Sequence, residues 1–416
     1  LTEPETFTTD STVDLRRLFL ILATAVAVSL LGVGVVVPLL PIFAHHLGAG
    51  GVLLGLIFSG FSLARSIALP VAGAMSDRYG RKIFLVIGLT AYTLCSVAYI
   101  FALTPMLLVG IRVIHGLASA LILPIALAII ADFTPVEKAG RVVGAFNAPV
   151  FIGLGLGPLL GGTIYDLLGR NQRALDANFV IMGAVSLGAL LLVTIGLPRV
   201  PVQGRSRRAM TGMGRLLKDR VFMGVLGLRF TMSAGVGSIL AFLPVLAEYY
   251  KISPTAMGVC LAAMILSVAV FQAPFGRLAD RRSRPALALI SAGFCAVSLV
   301  LVALSENFGM LFFACLIWGV GGGLGLPALT ALIIERGRAL DVGMGKCMAL
   351  LNVSLAAGIG LGPVAMGKLW DWFPPAGPFV AGAGALVLGA GFMAIMVRGR
   401  KADAVDQPRV RTDARL

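Results

Sequence analysis

The chain has 416 residues, of which 58% are hydrophobic and only 13% charged, with a mean hydropathy of +0.97. Soluble chains carry about a quarter charged residues, so this composition excludes a soluble enzyme or binding module and points to an integral membrane protein. The net charge of +15 would suit a nucleic-acid binder, but the placement of the cations excludes that partner. Of 34 Lys and Arg, all but seven lie in or beside the loops on one side of the spans read below. The seven are Arg170, Arg173, Lys251 and Lys368 on the other side, and Arg65, Arg112 and Arg229 inside spans. That bias reports topology, with a role for anionic lipid heads.

Apolar runs of about 20 residues predict helices, since barrel strands alternate over about 10. Leu1 to Asp14 is polar and acidic, unlike a signal peptide, and reads as part of a cytoplasmic segment over 1–17. The first span is expected over 18–43, bent near Pro38 and Pro41. The next five are expected at 52–71, 83–102, 106–131, 142–165 and 179–197. Residues 198–220 hold seven cations and one acid and read as a cytoplasmic linker, partly an amphipathic surface helix. Six more spans follow at 221–247, 255–275, 285–304, 310–334, 344–369 and 379–397, and 398–416 reads as an irregular cytoplasmic tail. Twelve spans put both termini on one side, and the cations make that side the cytoplasm.

The second half repeats the first. Pro41, Asp77-Arg78, Arg81, Pro124 and Asp132 recur as Pro244, Asp280-Arg281, Arg284, Pro327 and Glu335, each 203 residues on. Asn147, Gly157, Pro158 and Asp166 recur as Asn352, Gly362, Pro363 and Asp371, 205 residues on. The predicted fold is therefore an all-α membrane protein of two pseudo-symmetric six-helix bundles, 18–197 and 221–397, with a substrate site where they meet.

Three motifs carry a family resemblance across essentially the whole chain. Gly73-x-x-x-Asp77-Arg78-x-Gly80-Arg81-Lys82 resembles the loop between helices 2 and 3 of the major facilitator superfamily, with Met75 where Leu is usual. Gly153-x-x-x-Gly157-Pro158-x-x-Gly161-Gly162 in helix 5 resembles the motif of proton-driven exporters in that superfamily. Its spacing also makes a close-packing face for a neighbouring helix. Arg112-x-x-His115-Gly116 resembles Arg-x-x-Gln-Gly in helix 4, with His115 in place of Gln. The resemblance is to the twelve-span drug:proton antiporter family, which includes tetracycline exporters. It implies that helices 3, 6, 9 and 12 face lipid while 1, 4, 7 and 10 line the cavity.

Arg112, His115, Arg229 and Arg65 are the candidate cavity or coupling residues. An arginine in lipid is costly and normally faces a bundle interior or a cavity. Against that reading, Arg112 could be satisfied by backbone carbonyls, Arg65 and Arg229 could snorkel to the inner surface, and His115 could be a neutral core histidine. Its ordinary titration range suits a proton carrier. No Asp or Glu lies in mid-span. At the inner gate, Arg81 is expected to pair with Asp132 and Arg284 with Glu335. Asp77 is expected at the start of helix 11, near Gly343 to Lys346, and Asp280 near the start of helix 5, when that side is closed. Gly157 and Pro158 are expected where helix 5 meets the other bundle.

The five cysteines form no Cys-x-x-Cys, no nucleotide-binding or catalytic motif is present, and no cofactor or metal is called for. The expected function is secondary, proton-coupled export of a neutral or anionic amphipathic small molecule, by a monomer in the bacterial inner membrane. Two alternatives stay open. One is transport of an anionic metabolite, siderophore or lysolipid, by uniport or uptake. The other is a non-transporting receptor or scaffold on the same fold.

Overall fold

A computed structural model describes residues 15–134, 139–198 and 213–405. These residues form fifteen helices. The first bundle holds α1 (Leu15–Val36), α2 (Leu40–His46), α3 (Gly51–Tyr79), α4 (Arg81–Ile100), α5 (Pro105–Ser119), α6 (Leu123–Phe133), α7 (Ala139–Leu167) and α8 (Gln172–Gly196). A short α9 (Met213–Lys218) leads into the second bundle. That bundle holds α10 (Arg220–Tyr249), α11 (Pro254–Arg281), α12 (Arg284–Ala303), α13 (Phe308–Ala339), α14 (Met344–Trp372) and α15 (Gly377–Val405). Twelve stretches are long and apolar enough to cross a membrane, with α1–α2 and most of α5–α6 each counting as one.

Both breaks have a proline cause. Pro41 sits in the first turn of α2 and Pro124 in the first turn of α6. Proline has no N–H to donate and its ring crowds the carbonyl four residues back, which favours a break without compelling one: the repeat equivalents Pro244 and Pro327 lie inside the continuous α10 and α13. The fourth crossing was expected to be continuous; instead it tightens at Ala120 and Leu121, which bond to carbonyls three residues back. One other boundary differs: α15 runs on to Val405 where a tail was expected, whereas the described end of the linker is helical as α9, in keeping with a partly helical linker. Residues 199–212 of the linker, 1–14 and 406–416 lie outside the described residues.

Side-chain caps start several helices, as the sequence chemistry requires. Thr104, Asn171, Asp219, Ser253 and Asn307 each accept from a backbone N–H in the first turn of α5, α8, α10, α11 and α13. We call the end carrying residues 77–82 and 280–284 the terminal end, since the chain enters and leaves there. The opposite end, carrying 46–51, 167–172, 249–254 and 372–377, is the distal end.

The bundles meet through small residues on two helices that present two faces each. On α7, a Cβ at Gly153, Gly157 or Gly161 would collide with Ala27, Gly34 or Val35 of α1 in the same bundle. Offset around the helix, Gly162 abuts Pro254 of α11, Gly258 of α11 abuts Pro158, and Gly155 abuts Leu266. The second bundle repeats this. Gly358 and Gly362 of α14 lie against Phe230 and Ala234 of α10, whereas Pro363 and Gly367 lie against Gly55 and Gly51 of α3. Gly157 therefore packs within its own bundle, contrary to expectation, and Pro158 packs across. Lipid offers no hydrophobic drive between helices, so close van der Waals approach at such faces is what holds them together.

Candidate functional site

The contact face of α3 shows where the bundles part. Gly51, Gly55 and Ser59 are buried against α14, and Ser59 Oγ donates to the Gly360 carbonyl. Leu63 meets Gly360 of α14 as well, so these close contacts all lie in the distal half of α3. On α11 the close contacts with α7, at Pro254, Gly258 and Leu266, also lie in the distal half. The two bundles close on each other toward the distal end, and none of these contacts reaches the terminal end.

The hydrogen bonds between described residues that cross from one bundle to the other agree. Asp371 Oδ1 accepts from the Gly51 N–H at 2.8 Å, at the first residue of α3. Asp166 Oδ2 accepts from the Thr255 N–H at 2.8 Å and from its hydroxyl, at the start of α11. His46 Nε2 lies 2.8 Å from Glu248 Oε1, and His45 Nδ1 lies 3.7 Å from Glu248 Oε2. Asp166 and Asp371 are equivalent in the repeat, and each caps a helix of the opposite bundle. A carboxylate there meets free N–H groups and the positive end of the helix dipole. The repeat contained both residues, but nothing in the sequence says which helix each one caps.

At the terminal end the loop charges that are paired find their partners inside their own bundle. Arg81 Nη2 bonds Asp77 at 2.9 Å and Asp132 at 3.1 Å. Arg284 Nη1 bonds Glu335 at 2.9 Å. Lys82 donates to the carbonyls of Thr194 and Leu197, closing the end of α8, and Arg78 stacks over Tyr79. The carboxylate of Asp77 is engaged by Arg81, whereas Asp280 makes no hydrogen bond or ion pair among the described residues. Gly73 and Gly80 have open space where a Cβ would point, and Gly80, at φ +99°, needs the conformational freedom of glycine.

Inside the first bundle lies a polar cluster. Arg112, 2% exposed, donates from Nε to the Ile57 carbonyl of α3 at 3.2 Å and lies over the rings of Phe61 and Phe58. Its Nη1 has no partner. His115, one turn on and 1% exposed, shares a hydrogen bond between Nδ1 and the Tyr99 hydroxyl at 3.1 Å, and its Nε2 is unpartnered. Its ring packs edge-on against Tyr92 at 4.3 Å. The cluster is thus enclosed between α3, α4 and α5, inside the first bundle. Arg65, one turn beyond Phe61 on α3, and Arg229 on α10 are each half-buried with an unpartnered Nε. No described group of His, Cys, Asp and Glu could hold a metal, and the five cysteines are buried and unbridged.

The family model of the Major Facilitator Superfamily matches residues 22–345 and 225–414. An uncharacterized MFS-type transporter of Methanocaldococcus jannaschii is 28% identical over 347 residues, 82% of this chain and 88% of that protein. The quinolone resistance protein NorA of Staphylococcus aureus is 23% identical over 345 residues, 82% of this chain and 87% of its own. A crystal structure of a bacterial homolog of the lysosomal transporter Spinster superposes with a TM-score of 0.77 at 17% identity, covering 94% of this chain and 99% of the other.

Proposed function

The chain belongs to the Major Facilitator Superfamily and is a multi-pass membrane transporter of small molecules; from that premise we propose that it exports neutral or anionic amphipathic compounds in exchange for protons. The observation that carries the cargo class is the sign of the charge inside the spans. The charges inside the spans are Arg65, Arg112 and Arg229, and no mid-span carboxylate accompanies them. An arginine without a counter-ion in low dielectric repels cations and favours anions or neutral dipoles.

The terminal end, rich in Lys and Arg, is assigned to the cytoplasm of the inner membrane, with both termini there. On that assignment the structure reads as an inward-open state, a reading supported by the glycine faces and helix caps that shut the distal end. Alternating access then requires the distal contacts to part while Asp77 and Asp280 swing onto the opposite bundle at the terminal end. His115, the one histidine away from a span end, is the proposed proton carrier, beside Arg112 and bonded to Tyr99. The protein is proposed to work as a monomer.

The test is a binding and transport screen across matched cationic, neutral and anionic amphiphiles, with Arg65→Ala and Arg229→Ala variants. The anionic and neutral probes are expected to bind, and the variants to weaken the anion selectively. Tight binding of a monovalent cationic dye, unaffected by either variant, overturns the cargo assignment.

A further inference from the structure

The second bundle carries a cavity of about 360 Å³ at the terminal end, lined by Asp280, Arg281, Arg282, Ser283, Arg284 and Pro285 of the loop and first turn of α12, with Glu335 of α13 and Val397 of α15. That volume is in the range of small-ligand sites. The repeat explains why the cavity exists. In the first bundle the matching corner is filled by Lys82, whose ammonium bonds the Thr194 and Leu197 carbonyls at the end of α8. Counting 203 residues on, the position of Lys82 is taken by Pro285, which has no side chain to reach across. The loop also gains a cation, Arg282, where the first bundle has Tyr79.

The cavity is built for negative charge. Of its three arginines, Arg284 is engaged by Glu335 at 2.9 Å and by the Ala279 carbonyl. Arg281 and Arg282 are exposed and make no hydrogen bond or ion pair among the described residues. Asp280, also unpaired, is the one carboxylate not already held by an arginine, and two free guanidinium groups outweigh it. The 20-residue helix α12 begins at the cavity with no side-chain cap from Ser283, so its first N–H groups add to the attraction.

The surroundings identify the anion's carrier. Helices α12 and α15 pack side by side, and their outer faces expose Ile290, Phe294 and Val297, and Leu388, Phe392 and Ile395. Those faces suit acyl chains, and the cavity sits at their polar end. We propose that the cavity binds the phosphate of an anionic phospholipid, with Arg281 and Arg282 on the phosphate and the acyl chains along α12 and α15. A basic pocket between spanning helices on the cytoplasmic side is a physical match for such a headgroup.

Native mass spectrometry of the full chain, released from micelles doped with phosphatidylglycerol or phosphatidylcholine, tests this. Retention of phosphatidylglycerol over phosphatidylcholine is expected. Each arginine near an anionic head contributes about fivefold, so Arg281→Ser/Arg282→Ser should weaken the tightest phosphatidylglycerol by about 30-fold. The charge-matched control Arg17→Ser/Lys218→Ser should retain it. Val397→Trp, which narrows the cavity and leaves every charge in place, should weaken the same lipid. Inorganic phosphate and glycerol phosphate should not compete. Equal retention of the two lipids, equal effects of the two double variants, or no effect of Val397→Trp overturns the proposal. Competition by soluble phosphate at comparable concentration overturns the lipid assignment.

Discussion

Removing the carboxylates that cap helices across the distal end should shift the carrier toward its outward-open form. Asp371 accepts one backbone bond from Gly51 and Asp166 accepts two bonds from Thr255. A hydrogen bond to a charged group is worth about 1.5–3 kcal/mol, and a carboxylate at a helix start adds about 0.3–1 kcal/mol. Opening lets water replace part of this, so we work with about 2 kcal/mol for Asp371→Ala and about 3 kcal/mol for Asp166→Ala. Those figures correspond to about 30-fold and about 150-fold changes in the ratio of closed to open distal ends. The bond from Arg170 to Asp166 at 2.6 Å adds little, because Arg170 is exposed. The two sites share no partner, so their effects should add. Spin labels at Arg173→Cys and Glu306→Cys report the separation of the two bundles at that end. The five native cysteines are buried, which leaves the introduced ones selectively reactive. Electron–electron distance measurements should show a longer population in each variant, dominant in the double variant. Asp176→Ala removes a carboxylate bonded only within α8, to Gln172, and should leave the distances alone. Unchanged distances in both cap variants, or an equal shift in the control, refute the reasoning.

Three further outcomes are expected. The Cβ position of Gly157 lies 2.5 Å from Gly34 Cα, so Gly157→Leu should overpack its own bundle and lower thermal stability. Gly162→Leu should instead lengthen the distal label distance by pushing α7 off Pro254; identical behaviour of the two variants would contradict the two-face packing. Glu248 faces His46 and His45 across the distal end, so Glu248→Ala should lengthen the distal label distance. An unchanged distance in that variant would dismiss the contact as part of the distal closure. Arg81→Ala should lower the melting temperature more than Arg284→Ala, because the Asp132 side chain is 4% exposed and that of Glu335 39%. Taking one charge partner from a buried carboxylate costs up to about 3–5 kcal/mol, from an exposed one about 1 kcal/mol or less; a reversed order in a thermal melt would contradict the difference in burial.

Much of the architecture was legible because lipid imposes simple rules. Spans must be long and apolar, and the cations mark one side, so twelve crossings and a two-fold repeat follow from the chain alone. The break before Pro124 was missed, because an apolar run reads the same whether or not the helix restarts inside it. Small residues in α7 announced a packing face, but a glycine has no side chain to say which helix it meets. Only three dimensions separate Gly157 on α1 from Gly162 on α11. The cost of burying Arg112 placed it in an interior, without telling the inside of one bundle from the cleft between two. Its seat against the Ile57 carbonyl depends on how α3 crosses α5.

The central claim is proton-driven export through a cleft that opens at one end at a time. The most direct measurement is flux of an anionic amphiphile in sealed proteoliposomes of known orientation, with and without a pH gradient. Accumulation against the substrate gradient is expected when protons run the opposite way, with proton movement that depends on substrate and loss of coupling in His115→Ala. Downhill flux of the same size whatever the pH gradient, or no flux at all, would contradict it.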